Sequence, residues 1–250
     1  MKKEKGVKII DIQMDKLITD REILSNIYAY LAENTDNSYK AEYYQHKSDR
    51  LSNCKKRHWC RVKLCPVCEF YRQLGVSKDL TKIMKDMKND YDFIFFTLTI
   101  KNCKDYQLGK KVDKIMNAWD KLVRYKIIKE AVTGWYRWIE ISYNRTEDTY
   151  HPHLHIIAAA NYIDKEKLQS LWEKAMRLDY EPIVKITKVV DIENMPNYVR
   201  KKKDRDYIIP DDIEVSGKAI ATLDHILQHR RISGYGGEMK KLHSRSSKKG

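Results

Sequence analysis

Residues 151–155 read His-Pro-His-Leu-His and run on into Ile156-Ile157. In a β-strand alternate side chains share a face. His151, His153 and His155 would therefore point one way, while Leu154 and Ile156 turn into a core. Two neutral imidazoles on one strand face can hold one divalent cation. One outward histidine would be the face of an ordinary half-buried strand. Three of the chain's eight histidines, repeating every second residue, point to chemistry instead.

A second cluster lies upstream. Four of the five cysteines, Cys54, Cys60, Cys65 and Cys68, fall within fifteen residues. Cys65-Pro66-Val67-Cys68 is one half of a zinc knuckle, because two thiolates separated by two residues can chelate one ion. Cys60 with either Cys54 or His58 would complete a tetrahedral site. The bland alternative is a group of free, partly buried thiols. In a reducing compartment such crowding favours a structural zinc over disulfides.

Composition limits what these clusters serve. The 250 residues allow one large domain, or one domain with a small satellite, and 42% hydrophobic content is enough to bury a core. Lysine and arginine number 49 against 35 acids, a formal net charge of +14. A chain this basic usually meets a polyanion, nucleic acid before an acidic membrane surface. No apolar run reaches 18 residues, so no membrane-spanning helix is expected. The opening Met1-Lys2-Lys3-Glu4-Lys5-Gly6 has no apolar signal core, and a cytoplasmic location is expected.

The elements that must position these groups follow from periodicity. Residues 1–20 are mixed and charged and read as a poorly ordered arm. Helical spacing of Ile23, Leu24, Ile27, Tyr28 and Leu31 predicts a helix over 20–33. Residues 34–53 are polar and tyrosine-rich and say little. A helix over 69–88 buries Leu80, Ile83, Met84 and Met87. Residues 92–102 read as a strand, with Thr97 and Thr99 on one face and Phe96, Leu98 and Ile100 on the other. Residues 109–126 give the clearest helix. Trp135–Tyr143 and 151–159 are strands, with Trp138 and Glu140 sharing a face. Asp164 caps a helix reaching Leu178, and 181–191 alternates as a fourth strand.

The order strand, helix, strand, strand, helix, strand predicts an α+β fold, a ferredoxin-like βαββαβ antiparallel sheet core, preceded by a small zinc-knuckle segment. Its first and third strands would be central, setting Thr97 and Thr99 beside His153 and His155. Glu140 would join the histidine strand across a hairpin and act as third metal ligand. The expected divisions are 1–50, an arm and helix; 51–90, the zinc segment and helix; 91–240, the catalytic domain; and 241–250, a basic tail. Pro196 suits the first turn of a further helix carrying Tyr198, with Lys201 and Lys202 one turn on. A last helix spans 216–230, and 230–237 reads as a glycine-hinged turn.

A basic protein with a metal site and a tyrosine beside lysines suggests phosphodiester chemistry. A cation would polarise a phosphate oxygen. The Tyr198 hydroxyl would attack phosphorus to form a phosphotyrosine. Lys201 would favour the phenolate and hold the backbone, and Arg200, Lys202 and Lys203 would add phosphate contacts.

These residues resemble one family: the rolling-circle replication initiators of small Gram-positive plasmids, members of the HUH (His-hydrophobe-His) endonucleases. The resemblance runs from about Cys54 to Lys241. Phe96-Thr97-Leu98-Thr99-Ile100-Lys101-Asn102 is similar to the first motif. His151-Pro152-His153-Leu154-His155 is similar to the second, with His153 and His155 as the metal pair. Glu140–Asn144 resembles the segment before it. Asn197-Tyr198-Val199-Arg200-Lys201 resembles the third motif, with Tyr198 as nucleophile. Cys65–Cys68, and Arg230 and Arg231 through Gly237, also match landmarks, which adds Arg230 and Arg231 to the DNA contacts.

The resemblance implies a nickase that cuts one strand at a plasmid origin, keeps its 5′ end and frees a 3′ hydroxyl. It implies Mg²⁺ or Mn²⁺ at the site, double- and single-stranded origin DNA as partner, and a host helicase and DNA polymerase to extend the strand. A homodimer is left open. One departure concerns termination. Relatives often carry a glutamate four residues before the tyrosine, where this chain has Asn194, which cannot act as a base. Three other readings fit parts of the pattern: a histidine-triad nucleotide hydrolase, a non-catalytic zinc-knuckle DNA-binding regulator, and a transposase of the same endonuclease class.

Overall fold

The computed structural model describes residues 2–55, 57–194 and 212–246. The chain divides into two compact units, Met1–Leu74 with Arg205–His229, and Gly75–Asp204 with Arg230–Gly250. The penultimate helix packs with the N-terminal helices in the first unit.

The first unit is helical. Helix α1 spans Lys2–Glu33 and α2 spans Ser38–Ser52. The expected disordered arm over 1–20 is corrected: the backbone there is already helical. Charge in that stretch masks the cause. Leu17 and Asp20 are buried, and Lys16 pairs with Asp20 one turn on at 3.0 Å, so the helix extends back from its apolar face. The polar segment 34–53 becomes α2. Asn37 caps it by accepting the Lys40 amide at 3.0 Å. Small side chains let α1 and α2 approach: the Ser25 hydroxyl donates to the Ser48 carbonyl and the Ser48 hydroxyl to the Ser25 carbonyl, each at 2.9 Å. Helix α3, Pro66–Met87, begins in this unit and continues into the second.

The second unit is built on a five-stranded sheet: β1 (Phe93–Thr99), β2 (Val132–Asn144), β3 (Thr149–Ala160), β4 (Val184–Lys188) and β5 (Ser233–Gly236). The spatial order is β4-β1-β3-β2-β5, with every neighbouring pair antiparallel. Helix α4 (Asp105–Leu122) and the short α5 (Lys126–Ala131) lie between β1 and β2, and α6 (Lys165–Met176) lies between β3 and β4. Asp164 caps α6 as expected, accepting the Lys167 amide at 2.8 Å. Helix α7 (Ile213–Leu227) belongs to the first unit, and α8 (Gly237–Ser246) closes the described chain of the second.

The two sheet faces have different cover. Leu98, Leu154 and Ile156 are fully buried on the face toward α4 and α6, where the Trp172 indole N–H donates to the Thr99 carbonyl at 3.1 Å. On the other face Phe93, Phe95, Tyr136, Trp138 and Ile157 form one core with Leu80, Ile83, Met84 and Met87 of α3 and Met239 of α8. Alternation continues this second face along β1 and β3 to Thr97, Thr99, His155 and His153.

The segment after Arg230 departs from expectation. In place of a glycine-hinged turn, Ser233–Gly236 is an edge strand on β2, with Trp135 opposite Gly236 and Tyr136 opposite Tyr235. Gly236 and the following Gly237 are required sterically. A Cβ on Gly236 would sit 2.2 Å from the Trp135 ring, and Gly237 has φ +56° against the Thr133 carbonyl. Of the basic tail expected over 241–250, residues 241–246 supply the last turns of α8, where His243 stacks on Tyr235 at 4.3 Å between centroids, and 247–250 lie outside the described residues. Among the described residues, no helix is long and apolar enough to cross a membrane.

Candidate active site and cysteine cluster

The histidine strand takes the register that its alternation demands. Thr97 pairs with His155 and Thr99 with His153 on one side. On the other side Glu140 pairs with His153 and Trp138 with His155. Cross-strand partners on one face come within side-chain reach, so this register gathers Thr97, Glu140, His153 and His155 at one end of the face.

His155 is the most constrained member. It is buried and packs against two aromatic rings that also meet each other at 5.8 Å: Phe95 at 5.6 Å and 10° between planes, and Trp138 at 5.1 Å and 30°. Both ring nitrogens have partners. Nδ1 lies 3.1 Å from Thr97 Oγ1 and Nε2 lies 2.8 Å from Glu140 Oε2. In the neutral ring, an Nε2–H donating to the carboxylate leaves Nδ1 to accept the threonine hydroxyl. The sequence places Thr97 beside His155, but the hydrogen bond that orients the ring emerges only from the register.

His153 stacks near His155, 5.8 Å away and 11° from parallel, and His151 packs against His153 at 4.1 Å. Burial, followed by the positive potential of His151 and His155, pushes the His153 imidazole down to about 4. Burial lowers His151 as well. At neutral pH His153 therefore keeps a free lone pair, the form that binds cations. Lys185, which sits opposite Thr97 on β4, also acts on His153 electrostatically. Nothing in the sequence singled it out. The signal was available, because β4 alternates Val184 inward and Lys185 onto the histidine face.

Two imidazoles and a carboxylate are a donor set suited to a divalent cation. The structure brings Glu140 onto His155, yet it does not bring all three ligand atoms to one point. Among the described residues, the four cysteines are the one group of three or more potential ligands lying within 4.8 Å of one another. Tyr198 and its neighbours Arg200, Lys201, Lys202 and Lys203 lie outside the described residues. Asn194 ends a short 3₁₀ turn that follows β4. Arg230 is engaged with α4, where its Nε and Nη2 donate to Asp113 at 2.7 and 2.8 Å and hold that carboxyl below its ordinary range. The Arg231 side chain is exposed and donates to the Ser233 carbonyl at 3.2 Å.

The cysteine cluster belongs to the first unit. Cys54 comes from the end of α2, Cys60 from the loop, and Cys65 and Cys68 flank the start of α3. The sulphur separations are 3.5 Å for Cys54–Cys68 and Cys60–Cys68, and 3.9 Å for Cys54–Cys65. Four thiolates around a tetrahedral zinc, with bonds of about 2.3 Å, stand about 3.8 Å apart. The donors therefore fit zinc in kind, number and spacing. His58, the other candidate from sequence, is exposed and outside the group. Hydrogen bonds from Cys60 and Cys65 hold the Cys68 thiol far below its ordinary value, while hydrogen bonds to Cys60 and Cys68 raise Cys65. The direction at Cys68 favours the thiolate, the form of sulphur that binds metal.

The family model described as Replication protein (Rep_1) matches residues 51–249. A "Protein rep" of Bacillus amyloliquefaciens is 32% identical across 88% of this chain and 78% of its own length. Another from a Bacillus species is also 32% identical, across 81% of each chain. A "Replication protein" of Staphylococcus aureus is 28% identical across 68% of this chain and 79% of its own length. No solved structure matches. The chain belongs to the Rep_1 replication-protein family, the rolling-circle plasmid replication initiators that its motifs resemble.

Proposed function

We propose that this initiator nicks one strand of its plasmid origin by a tyrosine nucleophile, and that the second unit carries the reaction. The observation that carries this reading is the fixed His155 ring. Thr97 and Glu140 engage its two nitrogens, with His153 beside it on the same open end of the sheet face. The strand order β4-β1-β3-β2, with helices after β1 and β3, supports a ferredoxin-like core to which β5 is appended.

The Tyr198 oxygen attacks the phosphorus of the scissile phosphodiester. The bond from phosphorus to the 3′ oxygen breaks, and that oxygen takes up a proton. The products are a 5′-phosphotyrosine and a free 3′ hydroxyl. The helicase and polymerase of the host would extend that end, and double- and single-stranded origin DNA are the partners. His153, His155 and Glu140 would hold Mg²⁺ or Mn²⁺, which supplies electrophilic stabilisation of the phosphate. A cation at His155 Nε2 would leave Nδ1–H to donate to Thr97, the outer contact that fixes a ligating histidine. Lys201 would favour the tyrosine in its ionised form, and Arg200, Lys202, Lys203, Arg230 and Arg231 would meet phosphates. Cys54, Cys60, Cys65 and Cys68 would hold a structural zinc.

The test is direct. Wild type incubated with single-stranded origin DNA and Mn²⁺ should yield a covalent band on a denaturing gel, and Tyr198→Phe should yield none while still binding DNA. Mass spectrometry should find the nucleotide remnant on Tyr198; a remnant on any other tyrosine refutes the assignment.

A further inference from the structure

The loop clamped by the cysteines presents more than a metal site. Its buried positions, Cys54, Cys60, Val62 and Leu64, alternate with exposed Lys55, Arg57, His58, Trp59 and Arg61. No acidic residue occurs between Arg50 and Cys68. Reciprocal backbone hydrogen bonds between Lys55 and His58, at 3.2 and 2.9 Å, close a tight turn around Arg57. Arg57 and Arg61 both occupy the left-handed region, with φ of 71° and 57°. An L-residue with a Cβ is crowded there, and glycine is the residue that fits without strain. The sulphur cluster accounts for the backbone at Arg61, whose N–H donates to the Cys68 sulphur. It does not account for an arginine side chain at either position. Strained non-glycine residues gather at ligand clamps.

Trp59 stands beside these arginines with 37% of its surface exposed. Its ring rests on Tyr71, 4.6 Å away, which in turn meets Phe70 edge-on at 5.4 Å. Phe70 is buried. An aromatic ladder therefore runs from the core of the first unit to an indole at the surface, in a loop that also carries two exposed arginines.

We propose that Arg57, Trp59 and Arg61 bind an unpaired DNA strand, with a base stacked on Trp59 and adjacent phosphates on the two arginines. Aromatic platforms beside cationic side chains are how single strands are held without a sequence code. The choice of DNA as the nucleic acid rests on the replication function; the site itself does not depend on the nicking chemistry.

The test uses the full chain, a dye-labelled single strand, the corresponding duplex and fluorescence anisotropy over a range of salt. Trp59→Ala should weaken single-strand binding by about 5- to 100-fold and duplex binding much less, and Trp59→Phe should restore most of the loss. The double variant Arg57→Gly/Arg61→Gly should lower the salt slope for single strand by about 1.4, two phosphates' worth. Its thermal midpoint should hold or rise, because glycine relieves both left-handed positions. Zinc content reports whether the clamp survives in each variant. Single-strand affinity unchanged in Trp59→Ala overturns the proposal, as does an equal loss on duplex. A glycine variant that gains stability and binds like wild type also overturns it, since the arginines would then be incidental. Adduct formation, scored separately at saturating DNA, keeps the two ideas apart. A wild type that binds but forms no adduct sinks the nicking chemistry alone, and a Trp59→Ala protein that binds normally sinks this site alone.

Discussion

Thr97→Val is the most informative single change at the candidate active site. It keeps the β-branched shape that suits a strand and removes only the hydroxyl that lies 3.1 Å from His155 Nδ1. His155 is 8% exposed and packed against Phe95 and Trp138, so water cannot readily replace that partner. Losing a net hydrogen bond costs about 0.5–1.5 kcal/mol, and leaving a buried polar atom unpaired costs about 1–3 kcal/mol. The larger figure applies here, because the ring stays buried. At about 2–4 °C per kcal/mol for a chain of this size, the thermal midpoint should fall by roughly 2–12 °C. The functional effect should be larger in proportion. Removing an outer contact to a ligating histidine typically costs about 10–100-fold in metal affinity or activity. The assay is covalent-adduct formation against rising Mn²⁺. Thr97→Val should need more Mn²⁺ to reach half its yield, and Thr97→Ser, which keeps the oxygen, should stay near wild type. A Thr97→Val protein with wild-type melting and wild-type Mn²⁺ dependence would refute the idea that this hydroxyl orients His155.

Three further outcomes are expected. Elemental analysis of protein purified without chelator should find about one zinc per chain, and free alkylation of all four clustered thiols would contradict it. Stability should decline as pH falls from 6.5 toward about 4, because the unfolded chain protonates at His153 before the folded chain does. The slope approaches 1.4 kcal/mol per pH unit for one proton; denaturation of wild type and His153→Gln in buffer free of Mg²⁺ and Mn²⁺ should show the wild type losing more over that window, and parallel curves would count against it. Duplex affinity should drop steeply with salt, given the net charge of +14; an affinity indifferent to salt would assign that charge another purpose.

The histidine face was legible because strand alternation is a strong code. His153, His155, Thr97 and Glu140 were each placed on one face by period-two spacing, and the register then set them side by side. The cysteine quartet was legible from spacing alone, and only the choice between Cys54 and His58 needed coordinates. Elements that owe their structure to a partner were not legible. Ser-Gly-Tyr-Gly has no apolar alternation, and it becomes β5 only because β2 offers an unpaired edge and Trp135 needs a neighbour without a side chain. Helix α2 carries few apolar residues, and its contacts with α1 run through serine hydroxyls and a tyrosine pair. Hydrophobic periodicity has nothing to register in such a helix.

The setting of His155 also restricts proton traffic. Phe95, Trp138 and His153 pack around the imidazole, and each nitrogen already has a partner. A proton can therefore enter or leave this ring only through the Thr97 hydroxyl or the Glu140 carboxylate. Glu140 is the more open of the two residues bridged at Nε2, its side chain 28% exposed against 10% for His155. Glu140 thus gives the ring a route to bulk water at Nε2. Replacing it with glutamine would leave the imidazole in place while slowing its exchange of protons with solvent.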